Sequence, residues 1–382
     1  MTFQKMPISP KNIAVIGGGI SGLGAAHALS DTYNVTLFET ENRLGGHART
    51  ILAGKNGDQP VDTGFIVFNY ANYPELSKLF SDLNVPVVKS DMSFGASVCG
   101  GKIEYALRNF DAIFAQRKNV FNPKFIKMVW DINRFNTLGL TVADDKSITI
   151  RQFLERLKTG DWFRDCLLYV SRLENVLLKK QVDIRLSTPV ASVSRHETGV
   201  AIKTYRDEVQ MFDEVVFATH SDDTLALLTD ASPTERQNLG CIKYQDNEVV
   251  LHSDVSLMPK LHKCWASWVY TERKDKSSEK IDLTYWMNSL QPIPLDDPMF
   301  VTLNSTRNIE HSQIFDQVTM RHPVYDLDVL EAQKEIAKTN GQNRTWFSGA
   351  WVKNGFHEDG LTSGLDVARK IISEEILPIA AE

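Results

Sequence analysis

The stretch "NIAVIGGGISGLGAAHALSDTYNVTLFETENRLGGHART", residues 12–50, places Gly17-x-Gly19-x-x-Gly22 between two short apolar runs and follows them with a second glycine pair. That pattern leaves the chain little freedom of fold. "NIAVIG" reads as a buried strand, Ser21 to Ser30 as an Ala-rich helix and "NVTLFE" as a second strand. Strand, glycine turn and helix in that order open a Rossmann-type βαβ unit. Gly17 permits the tight turn, Gly19 lets the backbone approach a pyrophosphate, and Gly22 lets helix and strand pack closely. The amino-terminal N–H groups of the helix, at Ile20 and Ser21, then face the anion with the positive end of the helix dipole. Glu39 closes the second strand, where its carboxylate is placed to accept hydrogen bonds from a ribose diol. An acid there repels a 2′-phosphate, which disfavours NADP and leaves NAD or FAD.

The chain has 382 residues, 42% of them hydrophobic and 24% charged, enough for two domains with a sizeable core. Its net charge of −6 argues against a nucleic-acid partner, which calls for a dominant basic footprint. The start, "MTFQKMPISPKN", has no apolar core of a signal peptide, and no window reaches the roughly 18 apolar residues of a membrane span, so a cytoplasmic location is expected. Cys99, Cys166, Cys241 and Cys264 lie far apart with no C-x-x-C pair, and no metal-ligand spacing is present; the cysteines read as reduced structural thiols.

After residue 60 the α/β rhythm gives way to helical signals. Asn122 and Pro123 suit the cap and first turn of a helix reaching about Gly139; Thr149 with Gln152 reads as a capping box; Trp162, Cys166, Tyr169, Leu173, Val176 and Leu177 form one helical stripe. From residue 182 the period changes to two, in "VDIRL", "PVASVSRH", "VAIKTY" and "DEVVFAT", and then in "EVVLHS", "CWASWVY", "IDLTYWMN" and "MFVTL". A helix over Leu327–Thr339, the strand "RTWFSGA" and a helix in "GLTSGLDVARKIISEEI" complete the pattern.

The second glycine set identifies the ligand class. "ENRLGGHART" follows Glu39 directly, and here the sequence resembles the flavoprotein superfamily of amine oxidases, protoporphyrinogen oxidases and phytoene-type desaturases, closest to a bacterial amine-oxidase-like subgroup. In that superfamily an R-x-G-G-[RH] stretch runs back over the FAD pyrophosphate. The resemblance implies that Gly45 and Gly46 admit FAD, held noncovalently, while Arg43 and Arg49 donate charge-assisted hydrogen bonds to it. It continues through "PVDTGFIVFNYANYPELSKLFSDLNV", with Thr63 and Gly64, and through "STPVASV" and "DEVVFATHSDDTLALL", with Val190 at the adenine and Ala218 and Thr219 ending a strand near the cofactor. In "TWFSGAWVKNGFHEDGLTSGLDVA", Gly349 and Ala350 would lie along FAD, and the helix after Gly360 and Leu361 would point its positive end at the flavin. The implied fold is α/β: a Rossmann-type, glutathione-reductase-like FAD domain from residues 1–75, 182–245 and 340–382, and an α+β substrate domain with an antiparallel or mixed sheet from 76–181 and 246–339.

The implied function is FAD-dependent oxidation of an organic, fairly apolar substrate, an amine, a C–C bond or a lipid, by hydride transfer to flavin N5. The alternative is an FAD-binding protein with little turnover. No triad or H-E-x-x-H is present; His357 is the one candidate for proton transfer. With a single glycine-rich unit, the reoxidant is oxygen, a quinone or a carrier protein. Trp265, Trp268, Tyr270, Tyr285 and Trp286 either wall a flavin-facing pocket or are plain core. Relatives carry a longer stretch with a Gly-Gly turn between Leu168 and Val182; its shortening here is expected to weaken turnover and expose the aromatic strands at 264–288. Residues 102–135 interleave seven basic and three acidic side chains with Phe110, Phe114, Phe121, Phe125, Trp130 and Phe135. The favoured reading is a helix pair with its aromatic face in the core; peripheral membrane contact is the other.

Overall fold

The computed structural model describes residues 10–130, 132, 169–272 and 282–376. The expected cap and helix at Thr149–Gln152, Trp162, Cys166 and the end of the helix near Gly139 lie outside them. Strand β1 (Asn12–Ile16) is central in a five-stranded parallel sheet of order β17-β11-β1-β2-β7, where β2 is Asn34–Phe38, β7 Asp183–Arg185, β11 Glu214–Phe217 and β17 Thr345–Phe347. Both faces of β1 are covered, which is why its sequence is apolar without alternation. Ile13 and Val15 pack into a core with α1 (Ile20–Leu29) and the carboxy-terminal helix His357–Ile376; Ala14 and Ile16 pack on the other side with Val193, Val200 and Ile202. Those last residues belong to a three-stranded antiparallel sheet, β8 (Val190–His196), β9 (Gly199–Thr204) and β10 (Val209–Phe212).

A seven-stranded mixed sheet, of order β16-β12-β15-β14-β13-β5-β6, forms the second layer system. It joins β5 (Phe94–Val98) and β6 (Ile103–Ala106) to β12 (Lys243–His252), β13 (Trp268–Thr271), β14 (Asp282–Trp286), β15 (Phe300–Leu303) and β16 (Ile314–Val324). The aromatic strands are not exposed, contrary to expectation. β13 is held between β5 and β14, and Trp268 and Trp286 are buried in the core. Two helices also fall differently from the expected division. Leu76, Leu79 and Phe80 of Pro74–Asp82 pack with Val367 and Ile371 beside the parallel sheet, and Val329 and Ile336 of Leu327–Thr339 pack with Phe347 on its other face. Residues 102–130 form no helix pair: they hold β6, a short helix Phe110–Ile113, a turn of 3-10 helix at Arg117–Phe121 and a helix from residue 123. Among the described residues, no helix is long and apolar enough to cross a membrane.

The contact between α1 and the carboxy-terminal helix depends on glycine. A Cβ at Gly364 would lie 2.1 Å from the Ser21 carbonyl oxygen and 3.1 Å from the Ala25 nitrogen, so the two backbones touch. Backbone cannot rotate away as a side chain can. Gly364→Ala therefore has to separate the helices, and a loss of about 1–3 kcal/mol is expected, typical of overpacking, as read from urea unfolding midpoints.

Candidate dinucleotide site

The two glycine sets meet. Gly45 N–H donates to Gly18 O at 2.8 Å, and a Cβ at Gly46 would stand 3.1 Å from Gly19 Cα. Gly17, at φ +106°, makes the turn out of β1 in a conformation that L side chains rarely adopt. Gly22 packs α1 on that turn, since a Cβ there would be 1.9 Å from Gly17 O. Gly19 differs from both: it is extended, at φ −75°, and a Cβ on it would meet nothing within 4 Å. It is α1's N-cap, yet no side chain caps the helix. By contrast the helix Pro233–Cys241 is closed by a Ser232/Glu235 capping box, and Leu327–Thr339 by Asp326. The first turn of α1, with Ile20 and Ser21, is buried and carries no side-chain cap.

Other expected contacts are placed differently. Glu39 follows β2, and its oxygens accept from Gly18 N–H (2.6 Å) and Glu41 N–H (2.8 Å); a carboxylate oxygen has room for a second donor. Arg43 is spent on its own loop, donating to the carbonyls of Leu44, Gly46 and Ala48 and pairing with Glu41 at 2.9 Å. Arg49 makes a bidentate pair with Asp316 of β16. Thr63 N–H donates to Arg49 O, and Gly64 lies against the His47 carbonyl, where a Cβ would be 1.8 Å from it. Val190 is buried in β8; Ala218 N–H donates to Ile16 O, and Thr219 O accepts from Trp351 Nε1 at 2.9 Å.

At the far end Gly349 N–H donates to Ser363 Oγ at 2.9 Å, and Ala350 stands 3.7 Å from a Cβ built on Gly360. The closing helix begins at His357, three residues before the expected start, so Gly360 falls in its first turn against Ile20 and Ser21. Leu361 is core, 1% exposed and packed on Gly24. His357 is half-buried and stacked on Phe65, ring centroids 3.9 Å apart. Glu358 does not serve its own helix: its oxygens accept from Glu75 N–H (2.8 Å) and Leu76 N–H (2.9 Å), capping the helix Pro74–Asp82.

A histidine group was not legible in the sequence. His47, next to Gly46, lies 5.6 Å from His220 after β11 and 5.2 Å from His322 in β16, measured between ring centroids. Its Nε2 is 3.0 Å from Arg321 O; a carbonyl only accepts, so the proton sits on Nε2 and Nδ1 is bare. Burial, then His322 and His220, push the His47 pKa down to about 3. His220 stacks on Tyr244 at 4.4 Å, and burial followed by Arg321 lowers its pKa too. Asp222 and Asp223, which with His220 form a grouping of metal-ligand type, share the one Arg321 guanidinium, each at 2.6 Å.

The sequence comparisons agree with this geometry. Residues 15–83 match the family described as the NAD(P)-binding Rossmann-like domain. Coproporphyrinogen III oxidase of Mycobacterium tuberculosis is 39% identical over 82 residues, 20% of this chain and 17% of that one. The chain thus matches less than a fifth of that relative's length. Among solved structures, the CLA-producing fatty acid isomerase from P. acnes aligns with TM-score 0.63 at 14% identity, covering 94% of this chain and 98% of that one. Cyclohexylamine oxidase from Brevibacterium oxydans IH-35A aligns with TM-score 0.61 at 14% identity, covering 96% and 100%. The fold and the glycine site are those of a dinucleotide-binding α/β protein with a second, mixed-sheet layer system. Over its amino-terminal residues the chain is similar to oxidases of porphyrinogens, and it shares its fold with a solved protoporphyrinogen oxidase and a solved putrescine oxidase.

The depressed histidines carry a sign. His47, at about 3, and His252, brought to about 4 chiefly by burial, are neutral when folded and regain the ordinary value near 6.5 when unfolded. Their contribution to stability is complete above pH 6.5 and is lost as pH falls toward the folded values, each ring costing about 1.4 kcal/mol per pH unit within its window. His47→Asn is expected to make the stability profile shallower by about that slope between pH 6 and 4, in urea unfolding at stepped pH.

Proposed function

We propose that the protein is an FAD-dependent oxidoreductase that binds FAD noncovalently and oxidises an organic, fairly apolar substrate. The observation that carries the cofactor reading is the open space above Gly19 at an uncapped helix terminus, roofed by Gly45 and Gly46. In this reading the N–H groups of Ile20 and Ser21 hold the pyrophosphate, Glu39 the ribose, and Val190, Thr219, Gly349 and Ala350 flank the rest. Bound FAD supplies a two-electron acceptor that takes a hydride equivalent from a substrate C–H at N5. The residues do the remainder. The first turn of the helix His357–Ile376 presents positive dipole toward the site. His357, fixed by its stack on Phe65, is the proposed proton carrier there. The neutral His47 keeps the glycine loop from adding a full positive charge beside Arg43.

An amine, a C–C bond or a lipid is the proposed substrate class; the relatives' names span porphyrinogens, amines and fatty acids. The test is an anaerobic screen of the purified yellow protein against amines, polyenes and fatty acyl lipids, read as bleaching of the flavin band. Bleaching by one class assigns it; none by any class leaves FAD as a structural group. Tight NAD with no flavin released on denaturation overturns the cofactor reading.

The glycines separate folding from binding. Gly19→Val fills open space at an allowed φ, so thermal stability is expected to hold while FAD affinity, by fluorescence titration, falls at least about 100-fold. Gly22→Ala drives a Cβ into Gly17 O and should lose the fold itself. Glu39→Ala removes charge-assisted bonds worth about 1.5–3 kcal/mol, a weakening of about 10- to 150-fold.

A further inference from the structure

Residues 102–130 carry six basic side chains against two acidic ones, in a chain whose net charge is −6. Both acids are already engaged. Glu104, 1% exposed, accepts from the N–H groups of Lys260 and Leu261 and from the Ser97 hydroxyl. Asp111 grips Arg117 and, at 2.6 Å, Lys263. Lys102, Lys118 and Lys124 are exposed and pair with no carboxylate among the described residues. Around them stand large apolar side chains in water: Phe121 is 88% exposed, Phe110 81% and Trp130 71%.

The local fold explains the arrangement. Asn122 Oδ1 accepts from Lys124 N–H at 3.1 Å and Phe125 N–H at 3.4 Å, starting the helix at residue 123. Phe125 is buried against Tyr105 and Phe114, which fixes the helix's inner side. Pro123, Lys127 and Trp130, at helical spacing i, i+4, i+7, are all exposed, with Lys124 beside them and Phe121 at the entry.

We propose that this face docks on an anionic lipid bilayer, with Phe121 and Trp130 entering the headgroup boundary and Lys118 and Lys124 over lipid phosphates. Lysine interleaved with Trp and Phe is the composition of an interfacial surface. A protein interface is built otherwise, with lysine depleted and the apolar residues contiguous at its centre. The charge asymmetry adds orientation: an anionic surface repels the acidic remainder of the chain and attracts this face.

The experiment is co-sedimentation of the full chain with vesicles of phosphatidylcholine alone or with about 30% phosphatidylglycerol, at about 0.05 and 0.5 M salt. Its readout does not depend on bound flavin, so its failure and that of the FAD reading are separate. Binding to the anionic vesicles at low salt is expected, at least about ten-fold weaker on neutral vesicles and at high salt. The double variants Lys118→Glu/Lys124→Glu and Phe121→Ser/Trp130→Ser should each weaken it about ten-fold, with circular dichroism and melting midpoint unchanged. Binding that ignores anionic lipid, or that neither variant alters, overturns the proposal. So does a dimer in sedimentation velocity that Phe121→Ser/Trp130→Ser dissolves, since the face would then meet a second copy of the chain.

Discussion

The nucleotide end of this protein depends on backbone meeting backbone where no Cβ intervenes. Gly22 lies on the Gly17 carbonyl, Gly364 on that of Ser21 and Gly64 on that of His47, each at a distance no side-chain carbon could occupy. These three contacts set the height of α1 above β1, the closing helix on α1, and the glycine loop on the segment after β4 (Gln59–Asp62). Gly19 is the exception that gives the others a purpose. It is surrounded by enforced proximity, yet the space above it is open, so the packing leaves an uncapped helix terminus facing that space.

Electrostatics in the same region are arranged by neutralisation. Arg43, Arg49 and Arg321 bring three guanidinium groups near the glycine loop, and each is matched within the protein: Arg43 by carbonyls and Glu41, Arg49 by Asp316, Arg321 by Asp222 and Asp223. His47 stays uncharged because burial and its two histidine neighbours all disfavour the imidazolium. In the proposed reading the attraction for a dinucleotide rests on oriented N–H groups, which need no counter-ion and cost no desolvation of a full charge.

The βαβ opening was legible because its signals are local: an apolar run, three glycines at fixed offsets and an acid at the next strand's end all lie within residues 12–39. The helix Leu327–Thr339 was equally legible, with Asp326 as its cap. What the sequence hid was long-range. β16, "IFDQVTMRHPV", mixes polar and apolar residues as an edge strand does and gives no clean alternation, and with it went Asp316 and His322. Arg49 was read as a donor to FAD because a sequence displays a charge without displaying its partner in the protein, here 267 positions away. His47, His220 and His322 come from a loop, a strand end and a sheet edge, and no spacing rule joins them. His47 alone had a signal, as the residue standing at the [RH] position of the glycine stretch.

Those missed residues explain how the two sheet systems are held together. The glycine loop is tied to β16 at two points: Arg49 to Asp316 and His47 to the carbonyl of Arg321. Five residues of extended strand separate the anchors, about 16 Å. One attachment would let the loop pivot about it; two, this far apart along a rigid strand, do not. β16 pairs along its length with β12, with one register shift beside Asp316, and β12 pairs in turn with β15, so the loop's position is transmitted into the seven-stranded sheet by backbone pairing. The loop over the anion cleft and the sheet beside it are thus set relative to one another before any ligand arrives. Ordering them then need not be drawn from binding energy. Cutting one tie should loosen the loop from β16 while Gly45 and Gly46 still hold it on Gly18 and Gly19, and α1 keeps its packing because that runs through Gly17, Gly22 and Gly364 and not through the loop's arginine.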